Sequence, residues 1–163
     1  MKKALILITA VIALCAISSC KKEPVIEHPL DGVWGLVYME SSVTYTDPAL
    51  QPHSDKYECD PFHPSSRNDC KIVCNWTSGD EYETTGYMWD TDKNEWHAQI
   101  TYTISIVDGN KLFQTIDGRT IEVGTITFQK DMMTLVGTSQ ARELDSGEVY
   151  STMTFKETFK KME

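Results

Sequence analysis

The sequence predicts an all-β chain, an antiparallel up-and-down meander of about eight strands. Three observations lead there. Residues 98–107 alternate with period two: Ile100, Tyr102, Ile104 and Ile106 share one face, Thr101, Thr103 and Ser105 the other. That is the pattern of a strand with one buried side. Turn residues recur at short spacing, at Asp108-Gly109-Asn110, Asp117-Gly118, Lys130-Asp131 and Asp145-Ser146-Gly147, and Asp-Gly between apolar runs is a strong hairpin signal. No long stretch keeps a helical period. Such a chain closes into a barrel or packs as a β-sandwich.

The chain opens with Met1-Lys2-Lys3, a short positive segment, and then runs without a charge from Ala4 to Ala16. That run is shorter than the ~20 apolar residues that cross a bilayer, so it reads as an export signal. It ends in Ile17-Ser18-Ser19-Cys20, which resembles the lipobox of bacterial lipoproteins: a branched apolar residue, two small residues, then cysteine. The resemblance implies that residues 1–19 are a signal peptide and that Cys20 is the lipid attachment site. Its thiol is the nucleophile for the lipid, and small residues before the cut suit the peptidase. Each buried acyl CH₂ is worth ~0.8 kcal/mol, so a fully acylated cysteine is a lasting anchor, palmitate-like in kind. Residues 20–29 hold two prolines and no clear period, and are expected to be a tether between lipid and domain. The expected location is the cell envelope, as an outer membrane lipoprotein, on the periplasmic face or the cell surface. Losing Lys2 and Lys3 takes the net charge from −9 to about −11. A surface that acidic repels phosphate backbones and anionic head groups, which argues against nucleic acid and leaves the lipid on Cys20 as the membrane link. About 144 residues remain after cleavage, enough to bury one core.

Strands are expected at 33–46, 71–77, 82–89, 98–107, 111–116, 120–129, 132–137 and 148–159, each bounded by turn residues. The run 120–129 changes phase: Ile121 and Val123 share one parity, Ile126 and Phe128 the other, with Gly124 between them. That predicts a bulge or a bend at a barrel corner. In the last strand Val149, Met153, Phe155 and Phe159 are expected to point inward, and Tyr150, Thr152, Thr154 and Lys156 outward.

The domain begins Leu30-Asp31-Gly32-Val33-Trp34-Gly35-Leu36. A Gly-x-Trp step a few residues into the mature chain resembles the start of the lipocalins and of bacterial lipocalin-like lipoproteins. The resemblance implies that residues 30–163 form a lipocalin-like β-barrel, that the glycine turns the chain into the first strand, and that the tryptophan packs across one end. It also implies a small apolar ligand, with Tyr102, Ile104, Met153, Phe155 and Trp89 as candidate ligand-binding residues. The alternative is a structural or interaction lipoprotein whose filled barrel docks an envelope protein partner.

Residues 47–69 depart from that layout. They hold Pro48, Pro52, Pro61 and Pro64 with His53, Cys59 and His63. Proline lacks the ladder donor, so this Pro/Cys/His-rich insertion cannot be a central strand, and it is expected to be a lid over the barrel mouth. With Cys20 acylated, Cys59, Cys70 and Cys74 remain. In an oxidising compartment the first expectation is a disulfide, Cys59 with Cys70 or alternatively Cys59 with Cys74, worth ~3 kcal/mol in the chain-entropy model. A zinc or copper site on Cys59, His63, Cys70 and Cys74 is the competing reading, but the spacing fits no standard pattern, and no metal or other cofactor is expected.

No Gly-rich phosphate loop and no Gly-x-Ser-x-Gly elbow occurs, and His28, His53, His63 and His97 stand in no triad pattern. Catalysis is therefore not expected. The acidic stretch 80–95 lacks the glycine of a calcium loop and reads as a solvated hairpin tip. Trp76, Tyr82, Tyr87, Trp89 and Trp96 cluster in sequence and read as core and cross-strand pairs or as a ligand platform at the barrel mouth.

Overall fold

The structure, a computed structural model, describes residues 28–143 and 146–162. The signal peptide, Cys20 and most of the tether lie outside the described residues. The strands are β1 (Gly32–Tyr45), β2 (His53–Glu58), β3 (Cys70–Ser78), β4 (Glu81–Asp90), β5 (Glu95–Val107), β6 (Lys111–Ile116), β7 (Arg119–Gln129), β8 (Met132–Arg142) and β9 (Val149–Met162). All pairings are antiparallel. β3 to β9 follow one another as a meander, and β1 joins both β3 and β9, which closes an eight-stranded lipocalin-like barrel. The sandwich alternative is set aside by that closure.

The entry into the barrel follows from glycine and tryptophan. Gly32 takes φ +120, a backbone region that side chains rarely adopt, and starts β1. Two residues on, Trp34 is buried, and its Nε1–H donates to the Leu30 carbonyl at 2.8 Å. The indole lies 6.0 Å from the Phe128 ring, with the Lys161 ammonium 5.5 Å above it.

Every barrel strand sends apolar weight inward at this end. Trp34 and Leu36 of β1, Cys74 of β3, Tyr82 of β4, Ile104 of β5, Leu112 of β6, Ile126 of β7, Met133 of β8 and Phe159 of β9 form the core with Leu30. Each large apolar side chain buried there is worth about 2 kcal/mol. Asp117 and Gly118 both have positive φ, the twist-matched two-residue hairpin that Asp-Gly foretells. The phase change in β7 is real: the register with β6 shifts between Leu112 and Phe113, opposite Gly124, whose φ is +150.

The expected lid instead adds a ninth strand at the edge of the sheet. Residues 53–58 are the strand β2, an edge strand paired on the outer half of β1 from Tyr38–Glu58 to Val43–His53. Pro52 and Pro61 lie outside it, so no proline interrupts the ladder. β1 leaves β3 after Gly35–Lys71 and takes up β2 at Tyr38. The backbone N–H of Cys59 spans the join by donating to the Val37 carbonyl at 3.1 Å. Pro61 packs on Gly35, where a side chain would collide with it. The next turn is built on one buried carboxylate. Asp69 accepts from the N–H groups of Asp60 (3.2 Å), Ser65 (2.8 Å) and Ser66 (2.8 Å), and is 3% exposed.

Candidate functional site

Inside the barrel, above the packed end, lies a cavity of about 320 Å³. Its floor is Leu36, Ile104, Leu112, Ile126, Met133 and Phe159, and its side walls include Met39, Ile72, Tyr102 and Leu135. The inward parity of each strand brings these residues together. Met88 of β4 and Ile100 of β5 border the cavity and are 40% and 46% exposed, so the cavity reaches solvent beside them. No described residue of 47–69 borders it.

Lys71, Tyr87 and Gln99 border the cavity as well, and three further polar groups interrupt the apolar lining. Tyr102 is held among apolar neighbours, and burial first, then the charges of Cys74 and Glu157, pushes its phenol up to about 12. Burial, followed by Cys59, Glu157 and Asp69, pushes the Cys70 thiol up to about 11. The third group is Glu157 of β9, set in register between Met39 of β1 and Leu135 of β8. Burial alone pushes its carboxyl above the ordinary glutamate value, with no hydrogen bond or cation pulling it back. Tyr102 and Cys70 are uncharged at neutral pH, which suits a hydrophobic chamber.

The sequence-derived ligand residues divide. Tyr102 and Ile104 line the cavity. Trp89 does not: it lies edge-on to Trp96 at 5.3 Å and borders a separate hollow with Arg67, Asp92 and His97. Phe155 borders an open groove with Ser41, Gly124 and Gly137, away from the cavity. Met153 is 37% exposed, beyond the reach of the cavity. The aromatic cluster splits as well. Tyr82 joins the core, Trp76 stacks on His28 at 4.0 Å, and Tyr87 and Trp96 flank the Lys71 ammonium at 5.3 and 4.7 Å.

The sequence reading missed Glu157. Its signal was available: Glu157 has the same strand parity as Phe155 and Phe159, so a charge stood on the inward face of the last strand.

Among the described residues Cys59, Cys70 and Cys74 are free thiols, contrary to the expected disulfide of Cys59 with Cys70 or with Cys74. The Sγ atoms of Cys59 and Cys70 both contact the Asn68 carbonyl, at 3.4 and 3.3 Å. Cys74 is fully buried and accepts from Thr84 Oγ1 at 3.5 Å, on the packed side of the barrel and apart from this pair. No group of metal-ligating side chains comes together among the described residues.

No family model, curated protein or solved structure matches the chain.

Proposed function

We propose that this protein is a membrane-anchored lipocalin-like lipoprotein that holds a small apolar ligand inside its barrel. One observation carries the reading: the interior is hollow above a packed floor, lined mostly by apolar side chains, and reaches solvent beside Met88 and Ile100. A volume of about 320 Å³ falls at the lower end of the range for small-molecule sites, ~300–1,000 Å³. A barrel serving only as a docking module has no use for such a space, and filling it would add stability.

Export and acylation of Cys20 would tether the barrel by residues 21–29 to an envelope membrane, with the outer membrane as the proposed site. The run of residues before Cys20 supports this. Labelling of cells with an alkynyl fatty acid should mark the protein, and Cys20→Ala should remove the mark.

Ligand binding is tested with a neutral apolar fluorophore, N-phenyl-1-naphthylamine, and the mature chain, residues 20–163. Saturable enhancement of its emission is expected. Ile104→Trp, which fills the cavity from its floor, should abolish the enhancement while the far-ultraviolet circular dichroism stays that of the parent. Unchanged emission with the parent protein, or equal enhancement with Ile104→Trp, would overturn the reading.

A further inference from the structure

We infer that the ligand of this cavity is an apolar chain or ring ending in one protonated amine, seated with its ammonium on the Glu157 carboxylate. The inference rests on the cavity being a ligand site, as proposed above, and adds the chemical class.

Among the described residues that border the cavity, Glu157 is the only carboxylate. A half-buried carboxylate set among Met39, Leu135 and Phe159 lowers the stability of the fold unless something pairs with it. Nothing in the described chain does. The one cationic residue at the cavity wall, Lys71, carries its ammonium 4.7 Å from the Trp96 ring and 5.3 Å from the Tyr87 ring. From strands not paired with β9, the titratable groups on which the Glu157 charge acts are Tyr102 of β5 and Cys70 of β3. Both resist ionisation, so neither adds a second charge at neutral pH. β1 and β8 offer only Met39 and Leu135 at the paired positions.

An incoming ammonium would supply the missing charge, and Tyr102 would offer it an oxygen and a ring face. The same site disfavours a fatty acid, whose carboxylate would meet the like charge of Glu157. The net charge of −9 raises the local concentration of cations in the same sense.

The test compares decylamine, decanol and decanoate, titrated at pH 7 into residues 20–163 by calorimetry. The amine is expected to bind at least about tenfold tighter than decanoate, an advantage of at least ~1.4 kcal/mol. Glu157→Gln should remove that advantage while leaving decanol affinity as it was. The affinity for decylamine should rise with pH through the raised Glu157 pKa and then level, because ammonium binds the ionised form. Decanol should show no such rise. If decanol or decanoate binds as tightly as the amine, or if Glu157→Gln leaves the amine's affinity intact, the charge inference falls and the apolar site stands. If none of the three binds, the ligand-site reading falls and takes this inference with it.

Discussion

Gly124 of β7 crosses Val136 of β8 so closely that a Cβ at position 124 would collide with the Val136 carbonyl oxygen. Beside it, a Cβ on Gly137 would meet the Val123 carbonyl and the Phe155 ring. Two glycines thus allow one strand to fold over the next, where the barrel turns its corner. Phe155 belongs to that corner, against Gly137, rather than to the cavity.

Gly124→Ala should therefore be severe. The backbone there has φ +150, and the space is already occupied by backbone. Strain and collision together are expected to cost about 3 kcal/mol or more, read as a fall in the urea midpoint. Gly118→Ala is the control. Nothing lies within 4 Å of a Cβ there, so only the cost of φ +74 applies, about 1 kcal/mol. Equal losses at the two positions would contradict the close crossing.

Trp34→Phe separates the indole hydrogen bond from bulk. The Nε1–H to Leu30 carbonyl bond would be lost with the carbonyl left buried, and the smaller ring would leave a void. About 2 kcal/mol of destabilisation is expected, against 3–5 kcal/mol or so for Trp34→Ala. Thermal unfolding of the two variants checks the order.

What could be read from the chain depended on burial. The alternation at Ile100–Ile106 was legible because only one face of β5 is inside, and the phase change around Gly124 because both flanks are apolar. β2 was illegible: His53, Ser54, Asp55, Lys56 and Glu58 are exposed and carry no period. Such a strand forms because β1 has a free edge after Val37, a tertiary fact. The outer half of β8 was cut short for the same reason, since Thr138, Ser139 and Gln140 are polar on both faces and held by β9. In the site, Tyr102 and Ile104 followed from parity alone. Trp89 did not, because the β4–β5 register shifts between Gly86 and Tyr87, and an irregularity in the partner strand leaves no mark near Trp89 itself.

Asp69 is expected to hold the turn after β2 together. Asp69→Ala removes the acceptor of three backbone N–H groups at a buried site. A loss of about 2–3 kcal/mol is expected. Hydrogen exchange should quicken first at Asp60, Ser65 and Ser66, ahead of any change in β5. Uniform acceleration across the barrel would show that Asp69 does not act locally.

The thiols should react in a set order. Burial raises the pKa of all three, to about 11 for Cys70 and Cys74, so the native protein is expected to react slowly with an alkylating reagent at pH 8. Cys59 should react first and the fully buried Cys74 last. Oxidation should join Cys59 to Cys70, which share the Asn68 carbonyl, and leave Cys74 as a thiol. Peptide mapping after mild oxidation decides this, and a Cys59–Cys74 product would refute the order.

Glu157 should weaken the empty protein as pH rises. Its folded pKa lies above the usual glutamate value because burial disfavours the charge. The sign follows from linkage. Below the unfolded pKa near 4.5 the group is neutral in both states, and the fold is not penalised. As pH climbs through the folded pKa, the unfolded chain has already released its proton, and the folded chain must either hold the proton or bury a charge. The stability contributed by the protonated form is lost across that window. Glu157→Gln has no such window, so the variant should match the parent in melting temperature near pH 4 and exceed it at pH 7. Bound decylamine should close the gap at pH 7 by pairing with the carboxylate. A variant less stable than the parent at pH 7, with no ligand present, would mean that Glu157 has a partner in the folded chain and is not waiting for one.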